Sequence, residues 1–511
     1  MVLPQPACRF RFRFAPARHR TGPDPVRDGR TRGGGGMNAA IVEGAVPELQ
    51  PPHDTGGREP ASNVAQGAWV LYEWANQTYF SLITIFLFPP FFTGVLAANP
   101  IQGQAYWGYV QAVSGISIAL MSPLLGAMAD AAGPRKPWIV FSMLFCAAGC
   151  FGLWFAVPGQ PLLPVALALI VAAIGMELTI IFANAMLPTI ASDRRIGLLS
   201  GIGIGVGQLA AIVALILVLL LLQLPGEVQA PFIPDEPLFG LSKEAHETDR
   251  IVGPISGVWF VVFMLPLLFF VPDQKGRGLG RRAAAKAGVM RLWSTIRSVR
   301  HFRNVGLYLV ARMIFYDGMT AIFVFGGILA SSIFHWGAME MAVYGIWVTL
   351  FAAFGAFVGG WVDLKIGSKR TLVWALIGVL LTFLLLLSFD RDRIFYVVEV
   401  AVAPDARAFS TLPQQLFLLT VGLFGMMVGP VIASSRTMMA RISPREMMTE
   451  FFGLFALVGK ATAWIAPLFI GIVTEATQNQ RYGLMVTAPM ILAGLLLFLL
   501  VKEERATSVV H

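Results

Sequence analysis

Five ionisable side chains lie inside long apolar stretches of this 511-residue chain: Glu73, Glu177, Arg312, Asp317 and Lys460. A charge near the centre of a membrane helix costs about 2.5–3.5 kcal/mol on insertion scales. Such a group is retained where it pairs, faces a water-filled cavity or acts. Depth separates the five. At 1.5 Å per residue, Glu177 and Asp317 lie ~18–20 Å inside their stretches, close to the midplane. Arg312 and Lys460 lie ~10–14 Å from one edge, and Glu73, at ~9 Å, is within snorkelling reach of the interface. Glu73, Asn76 and Gln77 share a helix face by i+3 and i+4 spacing, and Glu177 shares one with Asn184, seven residues on. Arg312 and Asp317 are about 140° apart around their helix, so a direct pair is not expected. Arg312 is expected to meet Glu73 or Glu177, and Lys460 to meet Asp317 or a substrate carboxylate. All six histidines fall in tails or loops. A proton relay would therefore run through Glu177 and Asp317. Ion pairs that only hold helices together are the other reading of these residues.

The elements that must position them are membrane helices. Hydrophobic residues make up 56% of the chain, charged residues 13%, and mean hydropathy is +0.69. A soluble chain carries roughly 25% charged residues. The apolar residues form blocks about 20 residues long, the length that crosses a hydrocarbon core of ~30 Å. Twelve spans follow: 67–96, 106–129, 138–157, 164–190, 198–224, 252–271, 305–330, 341–362, 371–389, 412–433, 451–474 and 484–501. Residues 1–66, rich in Arg, Pro and Gly, read as a disordered tail, an Arg-rich transit segment or residues upstream of a true start at Met37. The spans divide into halves 67–271 and 305–501, joined by a basic linker, 272–304, and followed by a short tail, 502–511.

Loops after even-numbered spans hold 19 Lys and Arg, nine of them in the linker, against 6 in the loops after odd-numbered spans. The positive-inside rule puts the even-numbered loops and both termini in the cytoplasm. The net charge of +9 reflects that bias and the tail, so no nucleic-acid partner is expected. Cys146 and Cys150, one turn apart in the third span, read as apolar packing. Gly459-Lys460-Ala-Thr462 looks like the end of a phosphate loop, but Gly453 stands one residue too far upstream and Ala replaces the Mg²⁺-binding hydroxyl residue. No metal-ligand spacing is present. Neither cofactor nor metal is expected, nor an enzyme. Gly201, Gly203, Gly205 and Gly207 predict close helix packing.

Internal repetition points further. The loop after span 2 reads Gly126-Ala-Met-Ala-Asp130-Ala-Ala-Gly133-Pro-Arg135-Lys136. The loop after span 8 reads Gly359-Gly-Trp-Val-Asp363-Leu-Lys365-Ile-Gly367-Ser-Lys369-Arg370. Both resemble the loop signature of the major facilitator superfamily, although Ala131 replaces the usual base and the second copy is one residue longer. Asp130 and Asp363 are expected to accept from a neighbouring helix N-terminus, to pair with Arg or Lys, and to latch the two halves together. Arg436, after span 10, is expected to serve as a gate or topology residue. Trp69-Val-Leu-Tyr72-Glu73-Trp74-Ala-Asn76-Gln77-Thr-Tyr79, with Phe88-Pro89-Pro90-Phe91, is similar to the first helix of the vacuole-effluxer-like branch. Tyr316-Asp317-Gly318, Asn184-Ala-Met-Leu-Pro188 and Glu450-Phe-Phe-Gly453 extend the likeness across residues 67–501. Glu73 stands where the branch usually has Asp.

The resemblance implies an all-α integral membrane fold of twelve helices in two six-helix pseudo-symmetric halves, with helices 1, 4, 7 and 10 lining a central cavity. It implies a secondary active transporter of a small polar solute, amino-acid-like or another metabolite, working by alternating access, with efflux as one direction and protons as the coupling ion. A monomer in the bacterial inner (plasma) membrane, crossing it many times, is expected. A flippase of lipid or lipid-linked substrates, or a membrane assembly factor, is the alternative on the same fold. The topology is directly testable. Tags in 272–303 and at the termini should be shielded from an impermeant reagent outside the cell, and tags in 225–250 and 390–411 should be labelled. External labelling of 272–303 would reverse the orientation.

Overall fold

The computed structural model describes residues 61–190, 193–273, 302–403, 407–443, 451, 454–455, 458–459 and 461–503. Most of the tail and linker of the sequence reading lie outside the described residues, as does Lys460. The chain separates into two units, Met1–Gly56 and Gly57–His511, and every described residue belongs to the second. Its helices are α1 (Asn63–Leu96), α2 (Pro100–Ala132), α3 (Lys136–Gly152), α4 (Leu162–Ile190), α5 (Asp193–Val218), α6 (Val252–Phe270), α7 (Arg303–Phe334), α8 (Ala338–Ile366), α9 (Ser368–Leu387), α10 (Leu412–Ile442), α11 (Ile465–Thr477) and α12 (Thr487–Leu499). Among the described residues ten stretches are long and apolar enough to cross a bilayer. The other two expected spans are α2, a 33-residue helix, and α11, 13 residues long and preceded by a turn at 462–464. A two-residue hairpin, β1 (Arg393–Ile394) against β2 (Val398–Glu399), closes the loop after α9.

Local chemistry sets the helix ends. Ser62 caps α1 by accepting from the Ala65 amide at 3.3 Å, and the helix begins at Asn63, four residues before the expected start. Further along, α1 widens into π-helical turns at Phe80–Phe86 and Phe92–Leu96, on either side of Pro89-Pro90. Proline carries no amide hydrogen, so the ladder must re-register around the pair. Asn99 caps α2 through the Gln102 amide at 2.9 Å, with Pro100 in the first turn. Gly133 and Gly367, at matching places after α2 and α8, take φ values of 92° and 87°, a region that favours glycine.

Bilayer interiors supply no hydrophobic force between helices, so association rests on close packing. A Cβ on Gly355 of α8 would stand 2.1 Å from the Met426 carbonyl of α10, and one on Gly429 2.2 Å from the Ala356 amide. Gly149 and Gly175 do the same between α3 and α4, at 2.4 and 2.3 Å from backbone nitrogens. On α5, Gly203 and Gly207 pack against Glu73 and Gln77 of α1, as expected of the glycine run, whereas Gly205 faces open space. The halves meet where α2 packs on α11 and α5 on α8, positions related by the six-helix repeat. Phe86 of α1 adds an aromatic contact to Phe323 of α7 and Tyr344 of α8.

The glycine crossings can be tested one at a time. Gly355→Ala should cost about 1–3 kcal/mol by overpacking, lowering the thermal unfolding midpoint in detergent. Gly360→Ala, where nothing lies within 4 Å, should leave it unchanged. Equal midpoints would mean that the α8–α10 crossing yields freely.

Candidate functional site

In the first half, α1 and α4 bring a polar cluster together. The Trp69 indole donates to the Ala183 carbonyl at 2.9 Å, and the Tyr72 hydroxyl donates to Asn184 Oδ1 at 3.0 Å. These bonds fix one face of α1 against α4. On that face the Asn76 amide donates to Glu73 Oε2 at 3.2 Å, and Tyr72 is in electrostatic reach of both Glu73 and Glu177. Glu73 stands ten residues into α1 rather than six, because the helix begins at Asn63. Glu177 is near the midpoint of the 29-residue α4. Asn76 Oδ1 is buried without a partner, an acceptor turned into the cluster and unsatisfied there. Gln77 instead packs toward Gly207 of α5. Thr179 turns to α3, where its hydroxyl lies 2.8 Å from Ser142 Oγ.

The second cluster is on α7. Arg312 does not meet Glu73 or Glu177, as the spacing led us to expect. Its guanidinium donates to the Phe455 carbonyl at 3.1 Å and lies over the Phe455 ring at 3.6 Å and the Tyr316 ring at 4.5 Å. The stretch that carries Phe455 comes close enough for this because residue 459 is glycine: a Cβ there would stand 3.1 Å from Arg312 Nη1. The side chain is 6% exposed and its Nε has no hydrogen-bond partner. Among the described residues no ion pair reaches it. Stacking on two rings returns about 0.5–2 kcal/mol each, less than a carboxylate partner would. Asp317, five residues on, is equally buried. The Thr462 hydroxyl stands beside the Asp317 carboxyl without hydrogen-bond geometry. The expected Lys460–Asp317 pair lies outside the described residues. Arg436 is exposed on α10, within electrostatic reach of Arg312.

The repeated loops form knots at the basic end of each half, and here the expectation needs correction. Asp363 does not latch the halves together; it ties helices of the second half to one another. Its carboxylate accepts from the Ser368 hydroxyl at 2.8 and 2.9 Å and pairs with Arg441 of α10 at 2.9 Å. Arg441 also pairs with Glu503, just after α12, at 2.6 Å. Glu503, not Asp363, takes the N-terminus of α9, through the Ser368 and Lys369 amides at 3.2 and 3.3 Å. The first half repeats the device: Asp273, just after α6, accepts from the Arg135 and Lys136 amides at 2.8 and 3.0 Å and caps α3. Arg135 further donates to the Ala185 carbonyl of α4. Gly126 and Asp130 lie on α2, the Asp130 side chain outside what is described. Lys365 takes no part in the knot and lies over the Trp361 ring at 3.6 Å.

Asp273, Glu503, Arg441 and Ser368 were missed by the loop reading. The signal was present in the repeat: each six-helix half is followed, within two residues of its last buried valine, by an acid.

Residues 94–198 and 194–510 match the family described as vacuole effluxer Atg22 like. The MFS-type transporter YxiO of Bacillus subtilis (strain 168) is 24% identical over 475 residues, which covers 87% of this chain and 96% of that one. Autophagy-related protein 22 of Eremothecium gossypii is 23% identical over 329 residues, 61% of this chain and 58% of its own length. In fold, the nucleoside transporter NupG aligns with a TM-score of 0.56 at 12% identity over 86% of this chain and 98% of that chain. A bacterial homologue of the human lysosomal transporter Spinster gives 0.60 at 14% identity over 87% and 98%.

The basic-end knot separates working residues from bystanders. Arg441→Ala leaves buried Asp363 with the Ser368 hydroxyl alone and releases Glu503, and should cost about 1–3 kcal/mol. Lys365→Ala should cost under about 0.5 kcal/mol, the size of surface substitutions. Thermal unfolding of purified variants measures both. A larger loss at Lys365 would invert the assignment.

Proposed function

Because the chain belongs to the vacuole effluxer Atg22-like family, we propose that it is a secondary active transporter that moves a small polar solute across the membrane by alternating access. Membership in a transporter family, a twelve-helix major facilitator architecture and membrane-crossing helices make transport the function class. The observation that carries the finer reading is the pair of polar clusters, one on α1 and α4, the other on α7, inside a bundle of largely apolar helices. Glu73, Asn76, Tyr72, Asn184 and Glu177 offer carboxylates and amides. Arg312, Tyr316 and Asp317 offer a guanidinium, a phenol and a further carboxylate.

A guanidinium held, among the described residues, by ring faces and one carbonyl suits an anionic group on the solute, since a carboxylate can displace the carbonyl and gain a charge-assisted bond. The carboxylates of the two clusters suit a cationic group. Both together favour an amino-acid-like solute, exported or imported. With no histidine in a membrane span, proton coupling falls to the carboxylates, and Glu177 and Asp317 are the two deepest. In a bacterial cell the site of action would be the inner membrane, in a protein acting as a monomer.

Uptake into proteoliposomes tests this. The solute is first found by comparing metabolites accumulated in cells with and without the gene. Glu177→Gln and Asp317→Asn should each remove proton-gradient-driven accumulation, at least tenfold, while at least one retains solute exchange without a gradient. Arg312→Lys keeps the charge but loses the planar stack, and should weaken solute affinity tenfold, about 1.4 kcal/mol. Wild-type gradient-driven uptake in both carboxylate variants would return these residues to a structural role.

A further inference from the structure

A buried polar network joins the two halves, at the end of the bundle away from the basic loops. Gln104 of α2 is fully buried, and its Nε2 donates to Thr474 Oγ1 of α11 at 2.8 Å and to the Gln480 carbonyl at 2.9 Å. Gln480, in the short helix Gln480–Met485 that leads into α12, returns a bond from its own Nε2 to the Pro100 carbonyl at 2.7 Å. Beside this ring Tyr109 donates to Glu475. Below it runs a seam of small residues. A Cβ on Gly108 would stand 2.6 Å from the Pro467 carbonyl, and one on Gly471 3.0 Å from the Ala105 carbonyl.

Three features make this network a contact that can be broken. It joins α2 to α11 and the start of α12, helices of different halves, which an alternating-access cycle has to separate. Its central residue is not fully satisfied, since Gln104 Oε1 has no partner. Water reaching an opened cleft would supply one, which lowers the cost of release. The segment it grips is mechanically distinct as well. α11 begins after the turn at 462–464, where the Ile465 amide bonds to the Thr462 carbonyl at 2.8 Å. Pro467 has no amide hydrogen for the Ala463 carbonyl, so the helical ladder is broken there. Among the described long helices, α11 packs most extensively on α2, not on a helix of its own half.

We propose that Gln104, Thr474 and Gln480 form the lock that keeps the cavity closed on the face opposite the basic loops, and that its release opens that face. The lock rests on alternating access but not on any reading of the solute, so a solute-free measurement tests it. The probe is the rate at which an impermeant maleimide labels a cysteine placed by Asn184→Cys, in the full chain with its own three cysteines replaced, from each face of right-side-out and inverted vesicles. Thr474→Val should speed labelling from the face bearing residues 225–250 by about fivefold, the net worth of one hydrogen bond, and Gln104→Leu, which removes the bonds to Thr474 and to the Gln480 carbonyl, by more; both should slow it from the other face. The double variant should exceed Gln104→Leu by little, because that variant already removes the bond that Thr474→Val removes. Thr474→Ser, which keeps the hydroxyl, should label as the parent does. Unchanged rates on both faces in Thr474→Val protein with parental thermal stability overturn the lock, whether or not the solute assignment stands. Fully independent, multiplicative effects of the two variants overturn it too.

Discussion

No water reaches the hydrocarbon core, so each polar group placed there must find its partner within the chain. The rest of the structure follows from that constraint. Backbone groups are satisfied by helices, and helices without a hydrophobic force between them approach until side-chain volume stops them. Glycine therefore sits where two backbones touch, at Gly149 and Gly175, Gly355 and Gly429, Gly108 and Gly471. The seams in turn decide which polar side chains meet. Gly459 lets Arg312 lie against the stretch that carries Phe455, and Gly203 admits the Glu73 side chain beside α5.

Charges obey the same rule with different solutions at different depths. At the basic end, where water is near, Asp363, Arg441 and Glu503 form a chain of ion pairs and amide caps. Midway through the bundle Glu73 takes an amide, Arg312 takes ring faces and a carbonyl, and Asp317 has a hydroxyl close by. The α1–α4 and α7 clusters and the knots are built from the same residue types.

The two halves repeat a design without copying it. An acid follows each set of six helices and caps the N-terminus of the third helix of its half, Asp273 for α3 and Glu503 for α9. Glycines with left-handed φ end α2 and α8. Symmetry fails at α11, which begins only after the turn at 462–464, whereas α5, its counterpart, runs unbroken from Asp193 to Val218. The turn stands beside Asp317 and Thr462 and leads to the segment gripped by Gln104. One half thus carries a turn where the other carries a continuous helix.

Sequence alone determined the membrane-helical class, the approximate spans, the six-plus-six repeat and the residues that are out of place in an apolar helix. Each of these rests on hydrophobicity counted along the chain or on a pattern met twice, and neither needs a partner to be known. The shared face of Glu73 and Asn76 was legible for the same reason, since helical periodicity is local. What a side chain meets on another helix is not local. Arg312 on the Phe455 and Tyr316 rings, Asp363 on Arg441 rather than across the halves, and Gln104 on Thr474, 370 residues away, depend on which helices adjoin and how they are rotated. Only the tertiary structure decided these, because rotation and adjacency are set by the sum of many glycine-seam contacts, none of which carries a recognisable pattern of its own.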